Sequence, residues 1–142
     1  MAIYRYGDRV PHIEDGAYVS DSARVIGDVH VGRQCYIGHG VVLRGDYGSI
    51  RIGDGSAVEE NAMLHIRPDG LLALGRRVTV GHGALVHAKR IEDFAVIGIG
   101  AVLGFDVEIG TWSIVAEGAV VPKGTRVPDE TIVGGVPCRN IG

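Results

Sequence analysis

Residues 80–87 read VGHGALVH and carry two imidazoles, His82 and His87, five positions apart. Imidazole is a frequent metal ligand, so two rings in one short stretch point to ion binding. Ordinary secondary structure does not fit that spacing. Ligands that share an ion on a helix sit three or four apart, on one face. In a strand an odd separation sends the two rings to opposite faces. Another local geometry has to position them.

A period of six runs through the chain around them. Aliphatic residues fall at Ile13, Val19, Val25, Val31, Ile37 and Leu43, then, after a three-residue insertion, at Ile52, Val58 and Leu64. After four further residues they resume at Leu74, Val80 and Val86, and with one residue dropped at Ile91, Ile97, Leu103, Ile109, Val115, Val121, Val127 and Val133. A helix would show apolar spacings of three and four, and a half-buried strand would alternate with period two. Neither sustains a strict six. The hexapeptide period predicts a parallel β-helix with the aliphatic residue inward. The glycine that follows it, as in IGHGVV, IGDGSA and IGIGAV, is expected to take a turn conformation costly for other residues. The sequence resembles the hexapeptide-repeat family throughout. That resemblance implies an all-β, left-handed parallel β-helix of about six to seven triangular coils, three hexads to a coil, over residues 1–142 as one domain.

Bulk properties agree with this and exclude other classes. A chain of 142 residues supports one domain with a core that stands without disulfides or metal. Aromatics make up only 6% and glycine 23 residues, a composition suited to thin, regular layers. The net charge of −3, with scattered Lys and Arg, offers no basic stripe for nucleic acid. The first residues, MAIYRYGDRV, lack an apolar signal core, and no run reaches the roughly 18 apolar residues of a membrane span. The expected compartment is the cytoplasm. Cys35 and Cys138 lie far apart and outside any CxxC, so free or buried thiols are expected.

With three hexads to a coil, every third hexad lies on one vertical column. Leu43, Leu64 and Val86 start aligned hexads, so Arg44, His65 and His87 should stack along one edge. Ile37, Val58 and Val80 start another set, which aligns Gly38 with Glu59 and Gly81, and His39 with Glu60 and His82. His65 and His87 can therefore converge on one ion from consecutive coils, about one strand spacing apart. His82 lies on another part of its coil, and only a neighbouring prism could bring an equivalent residue to that pair.

The stretches LRGDYGSIRIGDGSAVEENAMLH and VGHGALVHAKRIEDFAVIGIGAV carry a closer resemblance, to the γ-class carbonic anhydrases and their phenylacetate-operon, carnitine-operon and ferripyochelin-binding relatives. It covers nearly the whole chain. The resemblance implies a homotrimer with one metal at each interface, bound by His65 and His87 of one subunit and His82 of the next. The metal would be Zn2+, with Fe2+ or Co2+ as alternatives that imidazole does not discriminate. Three neutral imidazoles with an open fourth position lower the pKa of a bound water to about 7. The implied reaction is the reversible hydration of carbon dioxide to bicarbonate.

Arg44 and Asp46 match a family pair that forms salt bridges at the subunit interface beside the site, which implies a role in assembly and site positioning that is compatible with a catalytic one. Glu59 stands where relatives often carry a glutamine that hydrogen-bonds the bound water, and a carboxylate there can accept its proton. Ala57 lacks an amide found in many relatives. The acidic loops that shuttle protons in the most active members are missing: Tyr47 follows Asp46, and IRPDG follows His65. Most relatives continue into a C-terminal helix, so the resemblance implies either such a helix beyond Gly142 or a member without one. Two other classes remain open. One is a hexapeptide acyltransferase using acyl-CoA and a lone histidine as base, and the other is an assembly protein that keeps the fold and loses the chemistry. His12, His30 and His39 are expected to be surface or packing residues.

Overall fold

A strand of two residues forms no stable ladder alone, but each one here extends a ladder begun by the coil before it. The computed structural model describes residues 2–142, an all-β, left-handed parallel β-helix of about 7 turns. Val19, Ile37, Val58, Val80, Ile97, Val115 and Val133 stack in parallel register on one face. Val25, Leu43, Leu64, Val86, Leu103 and Val121 stack on the second. Ile13, Val31, Ile52, Leu74, Ile91, Ile109 and Val127 stack on the third. Backbone bonds between coils, such as Gly38 N–H to Val58 O at 2.9 Å and Gly81 N–H to Ile97 O at 2.8 Å, satisfy the chain between successive turns.

The hexad residues form the core: all except the partly buried Ile13 are buried, at 7% exposure or less. A second inward set, four residues after the aliphatic one, is not evident from the period of six. Ala23, Val41, Ala62, Ala84, Ala101 and Ala119 are buried there beside the second column. Alanine suits this place because it lies at a corner of the prism, where facing walls converge and a larger side chain would overpack.

Two long strands, Arg24–Val31 and Val42–Ile52, run round a corner and join the second and third faces into a twelve-stranded sheet; the first face is an eight-stranded sheet. Between them the register slips, with Gly27 opposite Gly45 but Val29 opposite Ile50, so the three inserted residues bulge at that corner. The next coil inserts IRPDG directly alongside, and Asp69 N–H bonds Tyr47 O at 3.0 Å. Both insertions thus fall on one edge, just after Arg44 and His65. Among the described residues no helix is long and apolar enough to cross a membrane, and Cys35 and Cys138 are free.

The structure corrects the expected role of glycine. The left-handed conformation lies three residues after the aliphatic position, where Gly83 has φ 67° but Arg77, Phe94 and Trp112 adopt it as well. The glycine directly after the aliphatic residue is needed for close approach. A Cβ on Gly81 would meet Ile97 O and Ile99 N of the next coil at 2.8 Å each. Gly81→Ala is therefore expected to destabilise the protein by about 2 kcal/mol, read as a lower urea midpoint at unchanged m-value.

Candidate metal centre

The three predicted ligands fall into two groups. His65 ends the strand Met63–His65 and lies in register with Arg44, while His87 follows Leu85–Val86 one coil further on. Their rings meet edge to face with centroids 5.4 Å apart. Phe105, one coil beyond, closes the far side of His87 at 4.7 Å. The two rings thus approach each other from consecutive coils.

The environment favours the neutral form of both rings. Burial pushes the pKa of His65 down and the Arg44 charge adds to this, against an opposing pull from Asp46. His87 is pushed down by burial, then by His65 and Arg44. A neutral imidazole presents a lone pair, the form that can ligate. His65 Nε2 is buried with no hydrogen-bond partner; Asp46 Oδ1, at 3.7 Å, is too far. Such an orphan costs about 1–3 kcal/mol. An ion bound there would remove the cost, so these two residues fit a metal.

Asp46 lies at the start of the bulge and is 8% exposed. Its carboxylate takes Arg44 Nη2–H at 2.9 Å and the Tyr47 amide at 2.9 Å. Burial opposes its ionisation, but the bonds from Arg44 and Tyr47 outweigh it and hold the carboxyl below the usual range. The Arg44–Asp46 pair closes within one chain, against His65.

His82 stands elsewhere. It is two residues past Val80 on the first face, half exposed, with Nε2 2.9 Å from Glu59 and Nδ1 3.0 Å from Glu60. Glu60 also accepts the Tyr36 hydroxyl, which holds its carboxyl below the usual range. Among the described residues, two groups of three ligating side chains come within 4.8 Å of one another, and neither combines His82 with His65 and His87. One chain alone does not assemble the three-histidine set. Glu59 is thus placed beside His82, and Arg44 and Asp46 beside the other two ligands.

His39 donates to or accepts from Ser20 Oγ at 2.6 Å through Nδ1, a structural bond to a buried hydroxyl. His12 and His30, expected to be surface or packing residues, lie in register and share Glu14. The sequence already held this signal: Ile13 and Val31 are three hexads apart in one column, so the residues before them must stack.

Comparison with known proteins follows the same lines. The family described as bacterial transferase hexapeptide (six repeats) matches residues 11–45. Gamma carbonic anhydrase 1, mitochondrial, of Arabidopsis thaliana is 38% identical over 93% of this chain and 50% of its own length. The carnitine operon protein CaiE of Escherichia coli K12 is 33% identical over 99% of this chain and 72% of its own. A hexapeptide transferase family protein from Anaplasma phagocytophilum superposes with a TM-score of 0.95 at 27% identity, over 99% of this chain and 83% of that one. The chain spans about half the length of the first two plant relatives it matches.

Proposed function

Because the chain belongs to the hexapeptide-repeat family that includes the γ-class carbonic anhydrases and the carnitine operon proteins, we propose that it hydrates carbon dioxide reversibly to bicarbonate at a metal on the interface of a homotrimer. His65 and His87 of one subunit, with His82 of the partner subunit, would hold Zn2+, Fe2+ or Co2+. The observation that carries this is the buried, unpartnered Nε2 of His65 beside the ring of His87. The metal would supply a Lewis acid that lowers the pKa of water to about 7.

The chain's own residues do the rest. Burial favours the unprotonated form of His65 and His87, the form that can ligate. Asp46, held ionised by Arg44, stands on the His65 side as a fixed acceptor that can orient a polar hydrogen there. Glu59 lies 2.9 Å from His82 Nε2, so it would arrive at the interface with that ligand and receive the proton released by hydration. It is partly exposed, which gives the proton a route to solvent.

An acyl transfer activity is the second reading, supported by the family description and by the transferase named above. Metal content separates the two. Protein purified without chelator is expected to lose about one ion per chain on His87→Ala, and a loss of less than about one per three chains would rule out the three-histidine site. Stopped-flow hydration of carbon dioxide should then fall at least about 100-fold in His87→Ala. Equal rates in the variant and the parent would leave an assembly role for the fold.

A further inference from the structure

His12, Glu14 and His30 lie on the third face, away from the His65 and His87 column, and the proposed reaction does not use them. We propose that they form a second site for a zinc-like divalent cation, a clip that locks the first coil onto the second.

The backbone sets up the convergence. His12 and His30 occupy paired positions on the parallel strands His12–Ile13 and Arg24–Val31, and their ring centroids are 4.9 Å apart. Glu14 is pinned by its own amide, which donates to Val31 O at 2.9 Å. Both Nε2 atoms point at the same carboxylate oxygen, each 3.2 Å from Glu14 Oε1. Ligand atoms about 2.0–2.1 Å from a tetrahedral ion stand roughly 3.4 Å apart. The observed spacing therefore suits a shared cation with only small side-chain shifts.

Charge supports the same assignment. Arg51 is in register with His30 and would repel a cation if it faced the cluster. It is instead held by Asp28, with Nη1 to Oδ1 at 2.9 Å and Nη2 to Oδ2 at 3.1 Å, and Arg9 lies 4.0 Å from the same carboxylate. Among the described residues the only ion-pair partners of Glu14 are the two histidines. Two imidazoles and a carboxylate favour Zn2+, Co2+, Ni2+ or Cu2+ over Mg2+ or Ca2+. Side-chain exposures of 64%, 30% and 40% for His12, Glu14 and His30 leave room for water in the remaining positions and for exchange with solvent. The first coil of a solenoid has a neighbour on one side only, so a cross-link there resists fraying.

The test is zinc titration of the His65→Ala/His82→Ala/His87→Ala variant, which removes the other centre whether or not the proposed reaction is correct. About one zinc per chain is expected to bind, with a rise in melting temperature. Adding His30→Ala should abolish both effects, and Glu14→Gln should weaken binding at least about tenfold. In parent protein zinc should fall from about two ions per chain to one on His30→Ala, a readout that stands even where the triple variant folds poorly. No zinc on the triple variant when folded, or equal zinc with and without His30, would overturn the second site and show a hydrogen-bonded trio only.

Discussion

In a His30→Ala parent, which lacks the second site, co-expressed His82→Ala and His87→Ala chains are expected to regain metal that neither variant binds alone. Each interface needs His65 and His87 from one subunit and His82 from its neighbour. In randomly mixed trimers at equal dose, about one interface in four joins an intact pair to an intact His82. Metal content should therefore recover to about a quarter of the parent value, with carbon dioxide hydration recovering in proportion. Co-expressed His65→Ala and His87→Ala should recover nothing, because both lesions lie on the same half of the site. The two groups of ligands stand on different faces of one chain, with His82 between Glu59 and Glu60. A site closed within one chain would show no recovery in either mixture, and full metal in His82→Ala alone would remove that residue from the ligand set.

Leu64→Ala is expected to cost about 2–5 kcal/mol, a large part of the 5–15 kcal/mol available to a typical domain. Leu64 is fully buried, stacked in register between Leu43 and Val86. Both neighbours are themselves held in ladders, so the walls cannot collapse into the space, and the cavity adds to the lost transfer energy. His65 is the next residue, and metal affinity should fall together with stability. Leu71→Ala, at a position 49% exposed, is the control and should stay within about 0.5 kcal/mol. Urea unfolding at one fixed protein concentration measures both, since assembly makes stability concentration-dependent. Similar midpoints for the two variants would contradict the stacked-column core.

Much of the site follows from counting. In-register parallel stacking turns sequence offsets into spatial neighbours, so Arg44, His65 and His87 could be aligned before any coordinates, as could Glu60 with His82. The same counting reaches His12 and His30, which are easily passed over because each looks isolated along the chain. What the period does not describe is the two insertions. They break the repeat, and Asp46 takes its place beside His65 only because the bulge folds back there. The glycines show a similar limit, since a close approach and a left-handed turn look alike in a sequence, and Gly81 needs the first while Gly83 adopts the second.

The period of six already specifies the coil, its three columns and which side chains share an edge, because a fixed period and one ladder spacing leave no freedom in that register. What each shared edge is like inside is set by the folded packing. Whether a ring is buried or wet, neutral or charged, partnered or orphaned depends on atoms brought in by other coils and by the loops that interrupt them. His65 and His82 are both histidines at regular positions. One is half-buried, with its Nε2 enclosed and unpartnered beside His87, and the other is exposed beside Glu59 and Glu60. Desolvation and hydrogen bonding separate them, and both arise from packing between segments distant in the chain.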